Sequence, residues 1–359
     1  MIKILFVFTH LKVSNGVART AINLANSLDK NLFDVTIMPL FKVEKEALDL
    51  LDDNVKVKKV FNFYFRGFGK ILSLLPGRLL YKWIIKDTYD IEVSYQFGVP
   101  TKMMAYSSNE KAKHICWMHT YDEKMEQLRY YNKYDNVVCV SKDGSERLAQ
   151  HLKDSNRSLF LYSIVDEKKI KELAKESVDV PLGELTFVTV SRLTKEKGQH
   201  RLLSIFNDLK NTGLLNGVRL IIVGGGLEYD NLQKYIEDND LSNYVTMVGK
   251  QTNPYKYVAK SDVFICCSDI EGLSTSCVEA AILGVPILST SVGGAKEINE
   301  LQDAGCVVPI DTNALKESIV NLIQNRNIVE EWNERACLNS TKFYSEERIK
   351  KIENFLIGK

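Results

Sequence analysis

Short runs of β-branched and apolar residues alternate with longer helix-period segments along the whole chain. A chain patterned this way folds as parallel sheets covered by helices on both faces. Runs at Ile2–Phe8, Asp34–Pro39, Ile91–Tyr95, Ala112–Met118 and Asn136–Val140 are the expected strands of a first sheet. A second sheet is expected from Leu185–Ser191, Arg219–Val223, Tyr244–Val248, Val263–Cys267 and Pro286–Ser289. The stretch from about Leu161 to Gly183 holds no strand signal and carries the polar run DEKKIKELAKES, which places a domain boundary there. Length agrees, because 359 residues exceed one core when domains hold about 100–200 residues each. Beyond Asp311 the period is helical almost to the end. The expected architecture is α/β, with two doubly wound Rossmann-like domains at residues 1–165 and 166–342 and a helix at about 343–359 available to pack back on the first.

Open parallel sheets present loops and helix N-termini at the carboxyl ends of their strands, so two such domains facing a central cleft would bind ligand there. Charge narrows the ligand. With 47 basic and 46 acidic residues the net charge is +1, which lacks the basic excess of a dedicated nucleic-acid binder. The charge is unevenly divided: residues 1–170 carry 26 basic and 20 acidic side chains, leaving 21 and 26 for the rest. Seven cysteines show neither a CxxC pair nor zinc-site spacing, and four sit in apolar runs such as FICC. They read as free thiols of a cytoplasmic protein. MIKILFVFTH has the look of a first strand rather than a signal peptide. No apolar run approaches the roughly 18 residues needed to span a bilayer.

From Lys56 to Lys86 there are eight Lys/Arg and no acidic residue, interleaved with Phe65, Phe68, Leu74 and Trp83 among other apolar residues. This suits a peripheral contact with an anionic membrane surface. An amphipathic core element with a solvated basic rim fits the same pattern, and Pro76-Gly77 rules against one long helix.

Three segments carry the chemistry. In SDIEGLSTSCVEAAILGVPILSTSVGGAKE, residues 268–297, Glu271-Gly272 follow a strand and small hydroxyl residues lead into a helix that holds Glu279. Gly272 permits close backbone approach, and the amides around Leu273, Ser274 and Thr275 would form an anion site suited to a diphosphate. An N-capped surface helix with two solvated glutamates has the same spacing. Upstream, the strand FVTVSRL ends in Arg192, and Lys197 follows after TKE. Together they would make a two-cation clamp, although surface cations are common. LIIVGGG is a strand followed by a glycine turn without dinucleotide-fingerprint spacing.

In this order, SRLTKEKG, IIVGGGLEYDNL and VTMVGKQTNPYKYVAKSDVFICCSDIEGLSTSCVEAAILGVPILSTSVGGAKEI resemble the donor-binding half of the family-four retaining glycosyltransferases, the group 1 enzymes of GT-B fold. The likeness runs nearly unbroken over residues 187–298. The first half is looser. Where that family commonly has a Gly-Gly turn after its first strand, this chain has SNGVART with Asn15-Gly16, and ICWMHTYDE resembles the family's strand-end histidine, at His119. YSIVDEKKI stands where Tyr-Asn-Pro is common. The other four histidines read as structural.

The resemblance implies an acceptor-binding first domain, a donor-binding second domain and a nucleoside-diphosphate sugar substrate, a UDP-sugar above all. Gly16, Arg192, Lys197 and the amides of Gly272, Leu273, Ser274 and Thr275 would hold the diphosphate. Glu279 would take the ribose and Lys250 the base through its backbone. Glu271 would hold the transferred sugar, with His119 between sugar and acceptor. No Asp-x-Asp stands at a strand end, so metal-independent transfer without any cofactor is expected. The acceptor would be a glycan or lipid-linked saccharide in surface polysaccharide synthesis. A sugar-nucleotide 2-epimerase of the same fold and a non-catalytic two-lobed binding protein remain open alternatives.

Overall fold

The structure, a computed structural model, describes residues 1–12, 16–121 and 124–359. It divides into two compact units: Met1–Val165 with Ser345–Lys359, and Asp166–Tyr344. The first unit is built on β1 (Ile2–Phe8), β2 (Phe33–Pro39), β3 (Lys56–Val57), β4 (Ile91–Ser94), β5 (Lys113–Met118), β6 (Asn136–Cys139) and β7 (Ser158–Phe160). Their order across the sheet is β3-β2-β1-β4-β5-β6-β7, and every pairing is parallel. The near-continuous apolar strands follow from burial on both faces: Leu5, Ile37, Val93, Ile115 and Val138 are all out of solvent.

In the second unit the strands are β8 (Leu185–Val190), β9 (Val218–Val223), β10 (Val245–Gly249), β11 (Val263–Cys266), β12 (Ile287–Thr290) and β13 (Gly305–Val308). They lie parallel in the order β10-β9-β8-β11-β12-β13. The chain winds outward from β8 in one direction and from β11 in the other, so the loops leaving these neighbours diverge at a topological switch point. The same reversal occurs between β1 and β4. Three short strands without a sequence signal, β3, β7 and β13, all lie at sheet edges, where a strand has one neighbour and buries less side chain.

The C-terminal helix Ser345–Ile357 belongs to the first unit. Arg348, Ile352 and Leu356 are its buried face, and Arg348 Nη1 donates to the Ser163 carbonyl at 3.3 Å. Asp29 N donates to Glu353 Oε1 at 2.8 Å, so the helix is held by polar contacts as well as apolar burial. The segment 56–86 folds as two short helices, Phe68–Leu74 and Gly77–Ile84, broken at Leu75-Pro76.

Candidate functional site

At the switch point of the second unit, the loops after β8 and β11 are braided together. Gly198 takes φ +72°, and a Cβ there would overlap the Cys267 carbonyl, so only glycine lets the loops approach this closely. Cys267 Sγ donates to the Lys197 carbonyl at 3.2 Å, and Asp269 N donates to the Glu196 carbonyl at 2.8 Å. Arg201 pairs with Asp269 across the same seam. This stapling carries Lys197 to Glu271: Nζ and Oε1 are 2.6 Å apart, with side chains only 12% and 15% exposed. Ser268 Oγ donates to the same oxygen at 2.9 Å, and Thr290 Oγ1 donates to the Ser268 carbonyl at 2.6 Å.

Next to this pair the helix Thr275–Ile282 begins. Ser274 caps it, its hydroxyl accepting from Cys277 N at 3.4 Å. The first turn contains no acidic residue, so no carboxylate of the helix offsets the partial positive charge of its free amides. Gly272 and Leu273 are buried against Gly293 and Gly294; a Cβ on Gly293 would lie 2.6 Å from the Glu271 carbonyl oxygen. One turn into the helix, Glu279 is 6% exposed, and Tyr255 donates its hydroxyl to Oε1 at 3.2 Å. A buried carboxylate held this way is fixed in orientation, in contrast to the solvated glutamate that the spacing also allowed.

Arg192 behaves differently from Lys197. Its side chain is 68% exposed and 3.9 Å from Glu196, so the two cations of the expected clamp do not share one rigid position. Lys250 is exposed just after β10 and stands against the glycine turn, where a Cβ on Gly225 would be 3.2 Å from its own Cβ. Asp238 ends the helix Tyr229–Asp238 and Asp240 takes φ +49° beyond it.

The first unit has its own cluster at the carboxyl ends of its strands. Thr9, after β1, donates from N and Oγ1 to Gln96 Oε1, after β4, at 2.9 and 2.5 Å. Tyr95 is buried and meets the His119 ring edge to face at 4.5 Å. Burial pushes the His119 imidazole down to a pKa of about 3, against a smaller opposing effect of its hydrogen bond to the Tyr95 backbone. The ring is therefore neutral, and its Nε2 is out of solvent without a partner among the described residues. Gly16 opens the helix Gly16–Ser27, with no atom within 4 Å of where a Cβ would be. Asn15 of the same turn lies outside the described residues, as do Asp122 and Glu123 beyond His119. Sequence reasoning passed over Tyr95, Gln96, Ser268 and Tyr255. The only signal for the first three was their place just past a strand end, which selects no residue type.

Residues 146–338 match the model of the glycosyl transferases group 1, and residues 14–169 match that of glycosyltransferase family 4. The chain belongs to the group 1 glycosyl transferases. An uncharacterized glycosyltransferase of Methanocaldococcus jannaschii is 29% identical over 178 residues, 47% of this chain and 43% of the relative. The N-acetylgalactosamine-N,N'-diacetylbacillosaminyl-diphospho-undecaprenol 4-alpha-N-acetylgalactosaminyltransferase of Campylobacter jejuni is 26% identical over 231 residues, 64% of this chain and 61% of that enzyme. The matched segments thus span about half the length of these relatives. Among solved structures, HepE of Anabaena in complex with UDP and glucose shares the fold with a TM-score of 0.76 at 19% identity, covering 100% of both chains. As a member of that family built of two parallel-sheet units, the chain has the GT-B architecture.

Proposed function

We propose that this group 1 glycosyltransferase moves a sugar from a UDP-sugar to a saccharide carried on a lipid, with retention of configuration and without a metal, in the synthesis of a surface glycan. One observation carries the reading: the Lys197–Glu271 pair stands at the β8/β11 switch point beside a helix N-terminus whose first turn has no acid. That arrangement offers fixed positive charge to a leaving diphosphate and a carboxylate to the hydroxyls of the attached sugar.

Lys197, the amides from Gly272 to Thr275, and Arg192 swinging in from solvent take up the charge that develops as the anomeric C–O bond breaks. In the first domain Gly16 leaves its helix N-terminus open to close approach by a phosphate. Glu279, held by Tyr255, accepts from the ribose hydroxyls, and the backbone at Lys250 meets the base. Glu271 orients the sugar. His119, its Nε2 unprotonated, is assigned to the acceptor in the first, acceptor-binding domain, from whose hydroxyl it accepts a hydrogen bond. The acceptor oxygen attacks the anomeric carbon from the face the diphosphate leaves, and a diphosphate oxygen takes its proton. UDP and the lengthened glycan are the products, with no base required from the protein. The UDP found in the related structure of HepE and the undecaprenol diphosphate acceptor in the name of the Campylobacter enzyme support these choices of donor and acceptor.

Incubation of the protein with radiolabelled UDP-sugars and a lipid extract, in the presence of a chelator, tests the proposal. The expected result is free UDP together with label in the lipid fraction. A second UDP-sugar without free UDP would instead assign the site to epimerisation.

A further inference from the structure

The large apolar side chains that the first unit leaves in solvent are concentrated in one segment. Phe63, Phe65, Ile71, Leu74, Leu79 and Trp83 are 60%, 49%, 51%, 82%, 60% and 56% exposed. Their neighbours Phe61, Phe68, Leu72, Leu80, Tyr81 and Ile84 are buried, so Phe68 faces the core and is not available to enter a lipid phase. The buried rings brace the exposed ones: Phe63 and Phe65 each lie 5.1 Å from Phe68, and Trp83 lies 5.4 Å from Phe61. Tyr81 donates to Glu92 Oε1 at 2.7 Å, which ties the helix Gly77–Ile84 to β4. The segment is thus a core element on one face, with an apolar and basic face left in solvent on the other.

Cations frame the exposed face. Lys56 and Lys58 are occupied by Asp34 and Asp87, at 2.7 and 2.5 Å. Arg66, Lys70, Arg78 and Lys82 are exposed, and among the described residues they make no ion pair. A rigid face of aromatic and aliphatic tips ringed by unpaired cations matches the interfacial zone of an anionic bilayer, where apolar tips enter the acyl boundary and cations meet phosphate. A second copy of the chain would instead bring two acid-free basic faces together, which like-charge repulsion opposes.

We propose that the outward faces of the helices Phe68–Leu74 and Gly77–Ile84, with the preceding loop at Phe63–Arg66, dock onto an anionic lipid surface. The face begins at the carboxyl edge of the sheet, since Phe61 N donates to the Leu40 carbonyl and Leu40 N to that of Phe8. His119 follows β5 on the same edge. The inference deepens the proposed function, in that docking would bring a lipid-carried acceptor to this edge; the binding itself is independent of catalysis.

Co-sedimentation of the full chain with vesicles of equal parts phosphatidylglycerol and phosphatidylcholine, against phosphatidylcholine alone, tests it. Binding to the anionic vesicles is expected and should weaken as the Debye length shrinks from ~30 Å at 0.01 M salt to ~8 Å at 0.15 M. Each cation contributes about fivefold to the partition coefficient, so replacing Arg66, Lys70, Arg78 and Lys82 together by Gln should lower it by roughly two to three orders of magnitude at low salt. All four are exposed, and an unfolding transition of the first unit unchanged from that of the parent confirms that this unit is intact. A blue shift of tryptophan emission with anionic vesicles should disappear in Trp83→Phe. Equal partition of parent and quadruple variant, absence of binding at low salt, or a lipid-free dimer that Leu74→Ser and Leu79→Ser dissolve would each overturn the proposal. UDP-sugar turnover with a soluble acceptor analogue, measured separately, distinguishes that failure from failure of the proposed function.

Discussion

Lys197 and Glu271 are assigned to different parts of one substrate, yet they hold each other at 2.6 Å. Removing either leaves the other partly buried and unpaired, so substitutions carry a stability cost as well as a functional one. Lys197→Ala should weaken UDP binding by about 1.5–3 kcal/mol, the range for a lost charge-assisted bond, and isothermal titration measures it. Arg192→Ala should lower UDP affinity in the same direction with no change in melting temperature, because the side chain is 68% exposed. Glu271→Gln is expected to reduce turnover far more than UDP affinity if, as proposed, it holds the transferred sugar; Glu279→Gln should chiefly weaken UDP. Indistinguishable profiles for the two would undo the division of roles. His119 adds a pH dependence. Its folded pKa of about 3 lies below the ordinary 6.5, so the unfolded chain binds a proton that the folded chain rejects between those values. Stability from this group is therefore present above about pH 6.5 and falls by up to ~1.4 kcal/mol for each pH unit on acidification toward 3. Denaturant titrations of His119→Asn against the parent should show a shallower loss from pH 7 to pH 4 in the variant.

Among the elements, the helix Thr275–Ile282 and the loop before Gln199 decide how the site is shaped. Gly198 at φ +72° faces the Cys267 carbonyl with no space for a side chain. Gly198→Ala should destabilise the second unit by on the order of 1–3 kcal/mol and push the loops after β8 and β11 apart. Weakened UDP binding alongside a lowered melting temperature is the expected signature. Ser274→Ala removes the cap and should cost about 1 kcal/mol. At this scale the sequence was most legible in the central strands, whose apolar runs appear because both sheet faces are covered. It was least legible at β3, β7 and β13, where two to four residues at an edge bury too little to write a pattern.

For the whole molecule, two units make two separable stabilities. UDP should raise the unfolding transition of Asp166–Tyr344, by about 2.7 kcal/mol at a hundredfold excess over Kd. Removal of Ser345–Lys359 should lower the transition of the other unit, which loses the buried face of Arg348, Ile352 and Leu356. Calorimetry of the full-length and the truncated chain, with and without UDP, checks both expectations. The sequence by itself determined the alternation of strands and helices, the capped helix with Glu271 before it and Glu279 within it, and the family, because periodicity, capping residues and glycine turns act over a few neighbouring positions. Tertiary structure decided what no local pattern encodes. Lys197 meets Glu271 across 74 positions only because β8 and β11 are adjacent in the sheet. Tyr95 meets His119 because β4 neighbours β5. Which side of the basic segment enters the core was likewise settled by the aromatic cluster beneath it. Such contacts depend on the order in which strands pair, and that order is a property of the whole sheet.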